Sequence, residues 1–346
     1  MKIVVFGPHK RVGALRGEEI VDLSLACAKL LKERQGERQP MLLASALVPN
    51  DLAMFIEGGA RTLEHAEAAL DHLFGDTHDL LGANGETLVH KASEVRLHAP
   101  HPNGARIACA GGNFADHLAG MAAMGLLPGA GAMSIEEAAT RIRESGIWGF
   151  WKVGRAAASP GADVPYPGRA DRLDYEGEVA IVLGKQGKDV RAADAKDLVW
   201  GVTLLGDWSI RAPGEPQGPL KFGMAKNFDQ SCSLGPCIVV GELDASDIDV
   251  ETWVNGERRQ RFNTRDMVFS YWEYIEYLSR DLSLYPGDII SGGTAAGTAA
   301  DSSPRMADGQ FAPERFLKAG DVVEIKSPTI GTLRARIIAK RSGRIT

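Results

Sequence analysis

The sequence predicts an α+β fold weighted towards strands: a small mixed α/β unit over residues 1–100, then a β-rich unit over 105–346. Three observations predict this. Beyond residue 106, short apolar and β-branched runs recur between glycines and prolines, and one clear helical pattern, over 267–282, interrupts them. The run His98-Ala99-Pro100-His101-Pro102-Asn103-Gly104 has the composition of a linker. Strands and helices do not alternate in the βαβ manner that builds a parallel sheet. With 346 residues the chain is long enough for one large domain or two unequal ones.

Residues 3–6 read as a first strand, and the apolar stretch there is too short for a signal peptide. Residues 11–15 and 19–23 form a hairpin around Arg16-Gly17-Glu18. A helix over 24–33 takes Ser24 as its cap, and Asn50 caps a short helix through Ile56 that breaks at Gly58-Gly59. A third helix spans 61–74, with Leu63, Ala66, Leu70, Leu73 and Phe74 at helical spacing and Gly75 as its stop. In the second unit, strands are expected at 107–110, 178–183, 200–205, 237–240, 251–254, 288–290, 322–325 and 333–338. Asn255-Gly256 marks a tight hairpin. Segment 120–149 carries Met121, Met124, Gly125, Leu126, Leu127 and Pro128, then the capping box Ser134-Ile135-Glu136-Glu137, which opens a helix to Glu144 that Gly146 ends. Its place between His117 and the acidic strand at 176 reads as a lid-like insertion; an ordinary surface insertion is the alternative.

The net charge of -6 is mild and gives no sign of a nucleic-acid-binding surface. No apolar run approaches the length of a membrane span. Cys27, Cys109, Cys232 and Cys237 are scattered without a C-x-x-C pair, as expected of reduced thiols in a cytoplasmic protein. All 8 histidines lie in about the first third of the chain, the last being His117. A site built from the remainder must therefore use carboxylates, lysine, arginine and hydroxyls.

Glu176 and Glu178 are the most informative residues. The run that follows them is a strand, so side chains two apart share a face, here the face of Ala180 and Val182. Two carboxylates at the edge of a core repel unless a positive charge lies between them. Asp207, at the abrupt end of the apolar run 199–206, is a third candidate ligand. Three carboxylates without nearby His or Cys make an all-oxygen site suited to magnesium, manganese or calcium rather than zinc. The alternative is a wet Glu-x-Glu face, with Asp207 merely starting a turn.

The run Asp174-Tyr175-Glu176-Gly177-Glu178-Val179-Ala180 resembles the metal-binding motif of the fumarylacetoacetate hydrolase family. So do Gly206-Asp207-Trp208-Ser209-Ile210-Arg211, Lys226-Asn227-Phe228-Asp229, Leu284-Tyr285-Pro286-Gly287-Asp288, Gly293-Thr294 and Ile330-Gly331-Thr332-Leu333, in consistent order. Upstream, Asn113-Phe114-Ala115-Asp116-His117 resembles the family's Asn-Tyr-x-x-His segment. The resemblance implies a catalytic domain of mixed, roll-like β topology in a homodimer. It implies metal ligands Glu176, Glu178 and Asp207 for Mg2+ or Mn2+, with Ca2+ also compatible. His117 then activates water, Lys226 holds a substrate oxygen or developing negative charge, and Arg211 and Thr294 bind the substrate. The implied substrates are 2-oxo acids or 1,3-diketones bearing a carboxylate. The expected reaction is C–C hydrolysis of an acylpyruvate-like 2,4-dioxo acid; decarboxylation, dehydration or isomerisation of a 2-oxo acid is the rival. A non-catalytic binding protein would have little reason to keep three converging acids.

Several positions depart from the family pattern. Gly120 stands where a glutamate often follows the histidine by three, with Glu136 or Glu137 as candidate replacements. Ala295 replaces a proline after Thr294, Gly214 replaces a glutamine after Arg211, and segment 120–149 is longer than in short bacterial relatives. All lie on the substrate side, which places the hydrolytic pair in question and leaves the metal side intact.

Overall fold

Strand Lys2–Phe6 enters the middle of the largest sheet rather than its edge. In the computed structural model, which describes residues 1–76, 80–127, 129–211, 218–241, 243–303, 306, 312 and 315–340, that sheet has 12 strands. Pro128 and Gly214 fall outside the described residues. On one side Lys2–Phe6 pairs with the hairpin strand Arg11–Arg16, which continues to Glu19–Asp22 and Val89–Lys91. On the other it pairs with Cys232–Val240, in register Lys2↔Val239 and Ile3↔Ile238. The sheet then runs through Val199–Asp207, Gly177–Leu183, Ile289–Ser291 and Ile107–Ala110 to Gly149–Lys152. One continuous sheet thus spans the linker at 98–104. A second sheet orders Glu257–Asn263, Asp249–Val254, Val322–Ser327, Gly331–Ile338 and Asp163–Pro165, and a two-stranded ribbon pairs Arg172–Asp174 with Ser209–Arg211.

Period-two alternation sends the large sheet's side chains into two cores. Ala180, Val182, Leu205 and Ile238 join Ile3, Leu23, Phe55, Ile56 and Leu73 under the N-terminal helices. Val179, Ile181 and Leu204 face the opposite way, with Tyr271, Ile275, Ile325 and Leu333. Every residue of Gly177–Leu183 is therefore buried, as in strands covered on both faces. Truncating a side chain such as the fully buried Phe55 to alanine would cost about 3–5 kcal/mol.

The expected strands all form, most of them longer than the sequence indicated. Asn255 and Gly256 both take positive φ, 51° and 82°, as the tight hairpin requires. The helix opened by Ser134 spans Ile135–Ser145 with its capping box complete and Gly146 at its end. Other helix ends differ. Asp22, not Ser24, caps Leu23–Gln35, and Asp51, not Asn50, caps Leu52–Glu57; each carboxylate accepts a backbone N–H three residues on. The third helix spans Gly59–Asp71 and passes into a π turn through Asp76. The helix expected from Met267 begins at Tyr271, because Ser270 and Glu273 form its capping box and Met267 bridges back to Phe114. Four described α-helices escaped the sequence reading: Pro40–Leu47, Ala115–Ala123, which carries His117, Pro219–Lys226, which ends on Lys226, and the single turn Ala299–Ser302. Their small residues and glycines obscure the periodicity.

Candidate metal centre and proton-transfer pair

Adjacent strands bring the three expected acids together. Gly177 pairs with Gly206, and the Asp207 N–H donates to the Glu176 carbonyl at 2.9 Å, so Asp207 lies beside the Glu176–Glu178 pair. Carboxylate oxygens of Glu176, Glu178 and Asp207 lie within 4.8 Å of one another, and all three residues are buried. Their surroundings are unequal. Lys226 Nζ donates to Glu176 at 2.5 Å, to Asp207 at 2.8 Å and to the Ser209 hydroxyl at 2.7 Å. Arg211 reaches Glu176 through one nitrogen and Asp174 through Nε at 3.0 Å. Lys152, whose side chain is fully buried, pairs with the other oxygen of Asp207 and donates to the carbonyls of Lys226 and Ser231. The only hydrogen-bond donor recorded on the Glu178 carboxylate among the described residues is the Ser291 hydroxyl.

Charge follows these partners. Burial alone would raise the Glu176 carboxyl, but Lys226 and then Arg211 outweigh it and hold it well below the ordinary range. Burial pushes Glu178 well above that range, and the charges of Asp207 and Glu176 add to it. Asp207 is raised by burial against the pull of Lys152 and Lys226. Burial would lower the Lys226 ammonium, but Asp207 and Glu176 hold it above its usual value. The centre therefore has a carboxylate, Glu178, whose charge the fold does not balance. An all-oxygen cluster with such a deficit fits a hard divalent cation such as Mg2+, Mn2+ or Ca2+.

His117 lies beside this cluster on Ala115–Ala123. Asn113 fixes the start of that helix: its side chain donates to the carbonyls of Phe269 and Gly292 at 2.9 and 3.0 Å and accepts from the Phe269 N–H at 2.8 Å. The partner of His117 is a residue the sequence reading did not single out. Asp301 Oδ2 is 2.5 Å from His117 Nδ1, and both side chains are buried. Neither Glu136 nor Glu137 takes this role; Glu137 is spent on the Ser134 capping box, and both are exposed. A Cβ on Gly120 would lie 3.0 Å from the Asp301 Cβ, so the glycine leaves room for an acid delivered from elsewhere in the chain. Burial lowers the His117 imidazole, but the hydrogen bond and charge of Asp301, helped by Glu176, outweigh it and raise the group above its ordinary value.

The remaining expected residues divide. Arg211 stands at the mouth of the cluster, partly exposed, bound to Asp174 and Glu176. The Thr294 hydroxyl donates to the Gly177 carbonyl at 2.9 Å and accepts from Gln260 at 2.8 Å, which joins its loop to the acidic strand. Sequence reading missed Asp301, Lys152 and Asp174. Their only local signals were an acid closing a Gly-, Ala- and Thr-rich loop, a lone cation in the aromatic run Phe150-Trp151-Lys152, and an acid two residues before Glu176.

The fold and site define a mixed-sheet protein with a carboxylate centre suited to a divalent cation and a histidine–aspartate pair at its side. The chain belongs to the fumarylacetoacetate hydrolase family: residues 106–338 match the family described as fumarylacetoacetate (FAA) hydrolase C-terminal. It is 30% identical to oxaloacetate tautomerase YisK of Bacillus subtilis (strain 168), over 94% of this chain and 98% of that one. It is 28% identical to the mitochondrial oxaloacetate tautomerase FAHD2A of Homo sapiens, over 84% of this chain and 81% of that protein. Among solved structures, maleylpyruvate hydrolase from Sphingobium sp. SYK-6, in complex with manganese (II) ion and pyruvate, shares the fold with a TM-score of 0.67 and 23% identity, covering 99% of this chain and 100% of that one. No described helix is long and apolar enough to cross a membrane.

Proposed function

We propose that this protein is a divalent-metal-dependent enzyme that interconverts the keto and enol forms of a 2-oxo dicarboxylic acid of the oxaloacetate type. The observation that carries the reading is the buried His117–Asp301 pair beside Glu176, Glu178 and Asp207. The tautomerase names of relatives aligned over most of the chain support the substrate class. Those three carboxylates would hold Mg2+ or Mn2+, which supplies polarisation of the 2-oxo group.

The chain's own groups do the rest. Asp301 accepts a hydrogen bond from His117 Nδ1, which leaves Nε2 as the base. Nε2 takes a proton from C3, and the C–H electron pair becomes the C2–C3 double bond while charge moves onto the 2-oxo oxygen. Lys226 and Arg211 stabilise that oxygen and the adjacent carboxylate. The imidazolium returns the proton to oxygen, completing the enol, and the reverse sequence restores the ketone. Burial of the pair limits exchange of this proton with solvent.

C–C hydrolysis of an acylpyruvate-like 2,4-dioxo acid is the second reading, and one observation favours it: Asp301 supplies the acid whose absence at Gly120 argued against an activated water. Metal-stripped protein incubated with oxaloacetate and with 2,4-dioxo acids, with and without Mg2+ or Mn2+, separates the two. Metal-dependent acceleration of enol-to-keto conversion with no cleavage supports the tautomerase; release of pyruvate plus a second acid from a diketone overturns it in favour of the hydrolase. Homodimerisation and a cytoplasmic location belong to the same proposal. The first is supported by exposed Trp148, Trp151, Leu220 and Met224 near the free edge of the large sheet, the second by four free, buried thiols.

A further inference from the structure

The run from Asp174 to Glu178 builds more than the cation site. Asp174 is fully buried, yet its carboxylate accepts four hydrogen bonds. Oδ1 takes the N–H of Tyr175 at 2.9 Å and that of Ala299 at 2.7 Å. Oδ2 takes the N–H of Ala300 at 3.1 Å and Arg211 Nε at 3.0 Å. Next to it, the Tyr175 hydroxyl donates to the Gly297 carbonyl at 2.9 Å. Two consecutive residues just ahead of the acidic strand therefore grip segment 297–300, the stretch that delivers Asp301 to His117. The Gly297 N–H closes the loop by donating to Asp301 Oδ1 at 2.9 Å. Arg211, bound to Asp174, is the same side chain that holds Glu176.

We propose that Asp174 is a positioning residue: by holding the N–H groups of Ala299 and Ala300 it sets Asp301 against His117. The inference rests on the proposed use of His117 as a base, but its geometry does not depend on which substrate is turned over. A carboxylate is needed because it can accept from the segment and from Arg211 together. Asparagine at this position would aim an amide N–H at a donor. Displacing a proton-transfer group by even a fraction of an ångström from its productive geometry is felt strongly in turnover.

The test uses the full-length protein and reads the His117 imidazole directly, by NMR titration of histidine-labelled wild type, D174N, D301N, the double variant D174N/D301N and A299P. A299P leaves every charge in place. Proline suits the first position of a helix, and Thr298 before it, at ψ 163°, already has the backbone that proline demands, while one N–H to Asp174 is removed. The charged groups that act on His117 are Asp301, Glu176 and Arg211, and only the first should move. D301N should shift the His117 midpoint downward, D174N and A299P should shift it in the same direction, and the double variant should go no further than D301N. In turnover of the 2-oxo acid, A299P should lower kcat roughly 10- to 100-fold with KM within about threefold, while Mn2+ affinity stays near wild type. A wild-type His117 midpoint in both D174N and A299P would overturn the proposal, as would an additive shift in the double variant. Should the wild type turn over no 2-oxo acid, the proposed activity fails and the titrations still decide the role of Asp174.

Discussion

Replacing Glu178 with glutamine should move two properties in opposite directions. Glu178 is 1% exposed, its recorded hydrogen-bond donor is the Ser291 hydroxyl, and its charged neighbours Asp207 and Glu176 push it towards the neutral form. Two full charges no more than 4.8 Å apart at an effective dielectric near 20 repel by at least about 3.5 kcal/mol, and partial protonation of Glu178 relieves part of that. Glutamine keeps an acceptor for Ser291 and removes the charge. Metal-free E178Q should therefore be more stable than wild type by about 1–3 kcal/mol, read as a melting temperature higher by roughly 1–5 °C. Cation binding should go the other way. Loss of one of three anionic ligands should weaken Mn2+ binding by at least about 100-fold, or about 3 kcal/mol. At a Mn2+ concentration about 100 times the wild-type Kd, the metal should add about 2.7 kcal/mol of stability to wild type and about 0.4 kcal/mol to the variant. Calorimetric melting of chelator-treated samples, with and without Mn2+, together with a Mn2+ titration followed by electron paramagnetic resonance, measures both arms. A variant that is less stable than wild type without metal, or that binds Mn2+ equally well, would refute the view that the unbalanced carboxylate is there for a cation.

Other perturbations follow from the same contacts. D301N should lower turnover about 100-fold or more and move the acid limb of the kcat/KM profile to lower pH, because the group that raises His117 is gone and the base form persists further into acid; a pH–rate series checks the sign. G120A forces a methyl group to within 3.0 Å of the Asp301 Cβ, so activity should fall about tenfold while Mn2+ affinity is retained, as steady-state kinetics and a metal titration would show. T294V removes a buried hydroxyl joining Gly177 and Gln260; denaturant unfolding should register a loss of about 1–3 kcal/mol, and a large rise in KM with unchanged stability would instead assign the hydroxyl to substrate. K152M leaves one oxygen of Asp207 and the carbonyls of Lys226 and Ser231 without their buried cation, and should destabilise the protein by about 3–5 kcal/mol in the same assay.

What the sequence alone determined was local or periodic. Alternation in a strand has a period of two, so Glu176 and Glu178 had to share a face, and the abrupt end of an apolar run singled out Asp207. The hairpin at Asn255-Gly256 and the capping box at Ser134 were legible because their chemistry lies within four residues. Helix starts moved by a residue or more, since serine, asparagine and aspartate all suit a cap and the chain path chooses among neighbours. Only the tertiary structure decided what stands next to what across long separations. Asp301 meets His117 across 184 positions, and nothing in Ala300-Asp301-Ser302 announces it. Lys152 finds Asp207 only because the segment after helix Ile135–Ser145 returns as an edge strand. The glycine at 120, which in the sequence marked a missing acid, is in space the gap that Asp301 fills. Pairing across the sheet, unlike pairing within a strand, is set by where the backbone turns back, and spacing along the chain does not record it.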